Sequence, residues 1–221
     1  MRVLITGASR GIGAEFVRAL LAKGHEIHAV SRNPAPLAEL AKENKKLHLH
    51  EIDLENVAGP DRLCREMKGE KIDLLINNAG MYAGADELAK MKFEDVRLSF
   101  EVNTILPMRV CQALLGCLAK EAKVAQITSL MGSIDDNGSG GAYAYRMSKA
   151  ALNMFNKCFA IEYPGLTSIV LHPGWVQTDM GGKAAPTTPT ESVAGMLKVI
   201  EKVKTSDSGK FYDFEGEELP W

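Results

Sequence analysis

The chain begins MRVLITGASRGIG, residues 1–13, and the reading of residues 2–13 decides the fold. Residues 2–6 form an apolar run of the composition that strands buried on both faces have. TGASRGIG follows at once, and from Gly11 the pattern turns helical, with Phe16, Val17, Leu20 and Leu21 on one stripe and Gly24 as its stop. A strand that passes through a glycine-rich turn into a helix opens a βαβ unit. Gly7 permits the tight turn, while Gly11 and Gly13 let the backbone approach a pyrophosphate at the helix N-terminus, with Ser9, Arg10 and Ile12 completing the loop. The spacing is G-x-x-x-G-x-G, not the commoner G-x-G-x-x-G. By itself it is a weak signal, and a merely structural turn is the competing reading.

Outward from this turn the alternation continues. Short β-rich runs fall at 26–30, 47–52, 72–77, 124–128, 168–171 and 211–214, and helical patterns at 35–44, 60–68, 93–120 (two helices), 143–163 and 190–204. Such alternation implies parallel strands joined by right-handed crossovers. We therefore expect an α/β protein: a single doubly wound Rossmann-type domain over 1–221, with a parallel seven-stranded sheet and helices on both faces. Two loops rich in turn formers, 134–141 (IDDNGSGG) and 181–189 (GGKAAPTTP), follow strands at the edge where open α/β sheets bind ligands.

Composition restricts the function classes. With 221 residues, 46% hydrophobic and 24% charged, the chain suits one domain with a sizeable core. A net charge of −2 offers no basic excess for a run of phosphates, which argues against nucleic acid as a partner. No apolar run reaches the roughly 20 residues of a membrane helix, and the start lacks the pattern of a signal peptide, so the expected location is cytoplasmic. Cys64, Cys111, Cys117 and Cys158 are widely spaced and read as reduced thiols in packed helices. His48 and His50 share a strand face without an evident third ligand; they read as surface histidines, and no metal is expected. His172 reads as a packed strand-end residue, and Trp175 and Trp221 as walls of a pocket or of a subunit contact.

The end of the second strand, VSRNP, carries Ser31 and Arg32 and no carboxylate. An acidic residue there would receive the ribose 2′-hydroxyl of NAD, whereas a guanidinium suits the 2′-phosphate of NADP, with Arg10 as a second positive charge. A solvated surface arginine is the competing reading. Asp53, followed by Leu54 at the end of the third strand, suits the adenine amino group or a turn cap. In GAYAYRMSKAAL, residues 141–152, Tyr145 and Lys149 stand four apart on one helix face, whereas Tyr143 lies six before the lysine. A lysine ammonium would lower the tyrosine pKa and make it a better proton donor. Ser129, at the end of the fifth strand, is placed to hydrogen-bond a substrate carbonyl; Ser133 and Thr128 are its rivals.

These motifs stand in a telling order: TGASRGIG, NNAG at 77–80, Asn103 in EVNTI, Ser129, Tyr145-x-x-x-Lys149, then Pro173-Gly174. In that order the chain resembles the short-chain dehydrogenase/reductase family over nearly its full length. GSIDDNGSGGAYAYRMSKAALN, LHPGWVQTDMGG and FYDFEGEELPW resemble in particular its C-factor and sniffer-type carbonyl reductase branch. The resemblance implies Tyr145 as acid/base, Lys149 on the nicotinamide ribose, Ser129 orienting substrate and Asn103 holding a water of the proton relay. It places Asn78, Ala79, Gly80, Pro173, Gly174, Val176 and Thr178 along the cofactor. Ser129 precedes Tyr145 by a longer interval than is usual in the family, as in this branch, which keeps Ser133 open. The implied activity is NADPH-dependent reduction of a small-molecule ketone, aldehyde or quinone, with NADP(H) preferred over NAD(H). A dinucleotide-binding signalling protein of C-factor type is the alternative. Homodimers or homotetramers through residues 104–120 and 143–163 are implied as well.

Overall fold

The computed structural model describes residues 1–84 and 87–221. Its seven strands are β1 (Arg2–Thr6), β2 (Glu26–Ser31), β3 (Leu47–Glu51), β4 (Ile72–Asn77), β5 (Leu118–Ile127), β6 (Thr167–His172) and β7 (Phe211–Asp213). All pair in parallel, in the order β3-β2-β1-β4-β5-β6-β7. The α-helices are α1 (Gly11–Ala22), α2 (Ala38–Glu43), α3 (Gly59–Glu66), α4 (Phe93–Phe100), α5 (Leu106–Leu114), α6 (Tyr143–Glu162) and α7 (Pro189–Lys202). The strand direction of winding reverses between β1 and β4, which opens a crevice at their C-terminal ends.

Alternation along the strands divides the core in two. Val3 and Ile5 of β1 face one side and pack with Phe16, Val17 and Leu20 of α1 and Val193, Met196 and Leu197 of α7. Leu4, between them, faces the other side with Leu63 of α3 and Val110 and Leu114 of α5. Both faces of β1 are thus covered, which is why residues 3–6 are buried without interruption. Helix α1 ends as expected: Gly24 takes φ +80° and its amide bonds Leu21 O.

Three expectations are corrected. The helical pattern assigned to 93–120 stops at Cys117, and Leu118 already begins β5, which is longer than 124–128 because a register shift between Ile72 and Leu74 lets the early part of the strand rejoin β4. His50 is not a surface residue: its side chain is 9% exposed, and parallel register sets His28 of β2 beside His48 of β3, with Glu26 on the same face. The neighbouring strand thus sets Glu26 and His28 beside His48, a grouping that the local sequence does not reveal. Cys64 and Cys117, 53 positions apart, approach to 3.5 Å between sulfurs, and Cys158 is exposed rather than packed.

Candidate active site

The crevice between β1 and β4 is closed at its base by side-chain hydrogen bonds. Thr6 Oγ1 accepts from the Asn78 and Ala79 amides, both at 3.1 Å, and Asn78 Nδ2 donates to Thr6 O at 3.0 Å and Gly7 O at 3.1 Å. These bonds press the two loops so close that a Cβ on Gly7 would lie 2.8 Å from Ala79 Cα, and one on Gly13 would lie 2.2 Å from Gly7 O. Arg10 caps α1 through its backbone, and its side chain makes no capping bond, so among the described residues no side-chain acceptor meets the first-turn amides of Gly11, Ile12 and Gly13. A glycine cradle at an uncapped helix start fits a pyrophosphate. Ser9 sits half-buried in the same turn.

The loop after β6 folds over this turn. Gly174 takes φ +83°, where a Cβ would strike the Phe214 ring at 2.9 Å, so Pro173-Gly174 brings the chain round beside the C-terminal segment. Val176 is buried and pairs with Thr187, and Thr178 Cγ2 lies 3.3 Å from where a Gly11 Cβ would stand. Asp179, next along, takes Arg10 at 3.2 Å.

At the end of β2, Arg32 Nη1 meets Glu55 Oε1 at 2.9 Å, beside Ser31. The strand end carries no carboxylate, as read, but the loop after β3 delivers one. Asp53 is engaged in that loop: its Oδ1 accepts from the Glu55 amide at 3.0 Å, the turn-capping role, while Leu54 is buried in the core beneath.

The second half of the crevice is built by α6 and the end of β5. Tyr145 is 9% exposed, and Tyr143 is 37% exposed on another side of the helix. Ser129 stands beside the Tyr145 phenol, and its Oγ accepts from Met131 N at 3.2 Å. The rival hydroxyls are turned to other work: Ser133 Oγ accepts from Asp136 N at 3.1 Å, and Thr128 donates to Asn153 Oδ1 at 2.7 Å. Lys149, buried one turn beyond Tyr145, donates to Ile127 O at 2.9 Å and stands 5.8 Å from the Tyr145 ring centre. Asn103 lies in a π-helical turn, Glu101–Ile105, of the kind that recurs at functional sites. Its amide accepts from Met81 N at 2.8 Å and donates to Met81 O at 2.9 Å and to Ser148 Oγ at 3.0 Å. Gly80 joins these groups, since a Cβ there would meet Asn103 Oδ1 at 3.3 Å and Lys149 Nζ at 3.5 Å.

Burial dominates the electrostatics. It pushes the Tyr145 phenol up, with the Ser129 hydrogen bond pulling the other way, and it brings Lys149 down to about 8. Sequence reasoning missed Tyr82, whose ring centre is 5.0 Å from that of Tyr145; its place two residues after NNAG is the only signal it carried. Trp175, 57% exposed, is fixed by a bond from its Nε1 to Gly181 O at 2.7 Å. Trp221 packs on Phe211, and its O accepts from the amides of Ile134 and Asp135, which ties the loop after β5 to the C-terminal segment.

The model of the short chain dehydrogenase family matches residues 1–189. The chain belongs to this family. Among curated relatives of this short-chain dehydrogenase is the C-signal of Myxococcus xanthus, 46% identical over 154 residues, which cover 68% of this chain and 93% of that protein. Among solved structures, the carbonyl reductase Sniffer of D. melanogaster superposes with a TM-score of 0.94 at 32% identity, covering 100% of this chain and 99% of that one. An NADPH-bound carbonyl reductase from chicken fatty liver gives a TM-score of 0.93 at 36% identity, covering 100% and 98%. The similarity to C-signal and Sniffer agrees with the C-factor and sniffer-type branch anticipated from the motifs. The short-chain dehydrogenase is thus an oxidoreductase of carbonyl reductase type, and among the described residues no helix is long and apolar enough to cross a membrane.

Proposed function

We propose that residues 1–221 act as one cytoplasmic, NADPH-dependent carbonyl reductase whose substrate is a ketone, aldehyde or quinone and whose proton donor is Tyr145. The observation that carries this reading is the meeting of Ser129, Tyr145, Lys149 and Asn103 at the same crevice as the uncapped glycine turn. The pyrophosphate rests on Gly7, Ser9, Gly11, Ile12 and Gly13; Ser31, Arg32 and Arg10 take the 2′-phosphate; and Asp53 and Leu54 border the adenine. Asn78, Ala79, Gly80, Pro173, Gly174, Val176 and Thr178 line the remainder. When bound, the nicotinamide supplies the hydride. The chain supplies everything else: Ser129 donates a hydrogen bond to the carbonyl oxygen, and Tyr145 gives that oxygen its proton as negative charge develops there. The Lys149 ammonium stabilises the phenolate left behind, and Asn103 fixes the backbone at Met81 beside it. The exposed rings of Tyr82, Tyr143 and Trp175 favour flat, apolar substrates.

The test is steady-state oxidation of NADPH and of NADH with an o-quinone, for the wild type and for Tyr145→Phe. Turnover with NADPH that collapses in the variant is expected; undiminished turnover in Tyr145→Phe would overturn the assignment. Dinucleotide binding without turnover by the wild type would instead favour a signalling protein, the reading for which the relationship to C-signal speaks.

A further inference from the structure

Three of the five histidines gather far from this chemistry, on the face of β2 and β3 that α3 covers. His28 stacks between His48 and His50, with ring centres 4.8 and 5.2 Å away. A chain of contacts assigns their protons. His50 Nδ1 lies 2.7 Å from Glu66 Oε2; the carboxylate accepts, so Nδ1 carries the hydrogen. His50 Nε2 in turn lies 2.9 Å from His28 Nδ1, which occupies that nitrogen of His28. His28 Nε2 is left on a side chain only 5% exposed, without a hydrogen-bond partner among the described residues. It faces Glu70 Oε2 at 3.7 Å. A buried imidazole nitrogen without a partner, with a second histidine and carboxylates around it, is the donor set a transition-metal ion takes.

We propose that this cluster binds a divalent transition-metal ion such as Zn²⁺ through Glu26, His28 and His48. One ligand atom from each already lies within 4.8 Å of the other two, and His48 Nε2 to Glu26 Oε1 is 3.1 Å. Zinc bonds of about 2.0–2.2 Å to nitrogen and oxygen require a modest closing of that triangle. The movable members are the ones in solvent: His48 and Glu26 side chains are 43% and 34% exposed, whereas His28 is held by its neighbours. The Glu66–His50–His28 relay is the carboxylate–histidine support that orients a metal-bound imidazole. Glu70 stands next to the open coordination position. Arg2 grips Glu26 Oε2 at 3.0 Å and approaches Glu70 at 3.3 Å, so Glu26 keeps Oε1 for the ion while its other oxygen stays on the guanidinium. That fixed positive charge weakens the site but leaves its ligand atoms available. The mixed nitrogen and oxygen set suits Zn²⁺, Co²⁺ or Ni²⁺ over Ca²⁺ or Mg²⁺. Glu26 begins β2, so the site lies toward the sheet end opposite the crevice, and the bound ion clamps the edge strand β3 to β2.

The experiment is calorimetric titration of the purified chain with Zn²⁺ and absorption spectroscopy with Co²⁺, repeated on His48→Ala and Glu26→Gln. One equivalent of Zn²⁺ is expected to bind and raise the melting temperature, with affinity lowered at least about tenfold in either variant. The Co²⁺ spectrum should lack a thiolate charge-transfer band. Absence of stoichiometric binding, affinity unchanged in His48→Ala, or a thiolate band reporting Cys64 and Cys117 instead would each overturn the proposal. Because His48 lies outside the crevice, NADPH oxidation by His48→Ala should match the wild type, which separates failure here from failure of the reductase reading.

Discussion

Arg32 Nη1 and Glu55 Oε1 lie 2.9 Å apart at the end of β2, so the guanidinium proposed for a 2′-phosphate is already held by a carboxylate. The arginine is 68% exposed on its side chain, and an exposed pair of this kind contributes at most about 1 kcal/mol. A phosphate, able to accept a fork of hydrogen bonds, should displace Glu55. Arg32→Ala is therefore expected to raise KM for NADPH by roughly 10- to 100-fold, the worth of a charged hydrogen bond, while leaving KM for NADH nearly unchanged. Glu55→Gln should lower KM for NADPH. Equal effects on both cofactors would refute the role given to Arg32.

The two tyrosines at the start of α6 separate cleanly by burial and partner. Tyr145→Phe should lower kcat by roughly 10²- to 10⁴-fold, the scale of a lost proton donor, with little change in cofactor binding. Tyr143→Phe, which removes a hydroxyl from a 37% exposed ring, should alter KM for substrate by no more than a few fold. Cofactor titration by fluorescence, alongside the rates, distinguishes a chemical loss from a misfolded variant.

In the proposed mechanism, Lys149 gives the reaction an alkaline limit. Burial lowers it to about 8, so in the free enzyme the ammonium is present below that pH and disappears above it. The value of kcat/KM for NADPH reports the free enzyme and should decline as pH rises through about 8. A profile flat to pH 10 would remove the ammonium from the mechanism.

His172, at the end of β6, gives an acid limit to stability. Burial lowers it to about 4 from the ordinary 6.5, only partly opposed by Asp213 and Asp136. As pH falls below 6.5 the unfolded chain takes up this proton first, and the folded chain follows only near 4. Stability contributed by the neutral ring is complete above pH 6.5 and is lost progressively toward 4. Urea midpoints measured between pH 7 and 5 should fall, and His172→Gln should flatten that slope.

Met147, Met154 and Ile161 recur every seven residues on α6 and are 40%, 65% and 71% exposed, a stripe on one helix face. Ile105 and Met108 add exposed apolar surface near the start of α5. We propose that this stripe is a self-association surface, as the family resemblance suggested for these segments. Light scattering after chromatography should show a dimer for the wild type and a monomer for Met154→Lys; a monomeric wild type would refute it.

Much of this was written in local pattern. The buried run of β1, the glycines at 7, 11 and 13, the stripe of α1 and the four-residue step from Tyr145 to Lys149 depend on neighbours a few positions away, so period and turn chemistry reveal them. Those signals determined the doubly wound sheet and the place of its crevice, and they set Tyr145 and Lys149 on one helix face. What the tertiary structure alone decided involves partners brought together from separate elements. That Ser133 bonds Asp136, Thr128 bonds Asn153 and Ser129 stands beside Tyr145 emerges only once these elements are packed. Glu55 reaches Arg32 from another loop, Asn103 meets Met81 across a π-turn, and parallel register lays His48 beside His28. Hydrogen bonds and charge contacts act over a few ångströms in space, whatever the separation in sequence. A chain of residues read one after another carries the period of its strands and helices, but not which side chains the packed sheet sets face to face.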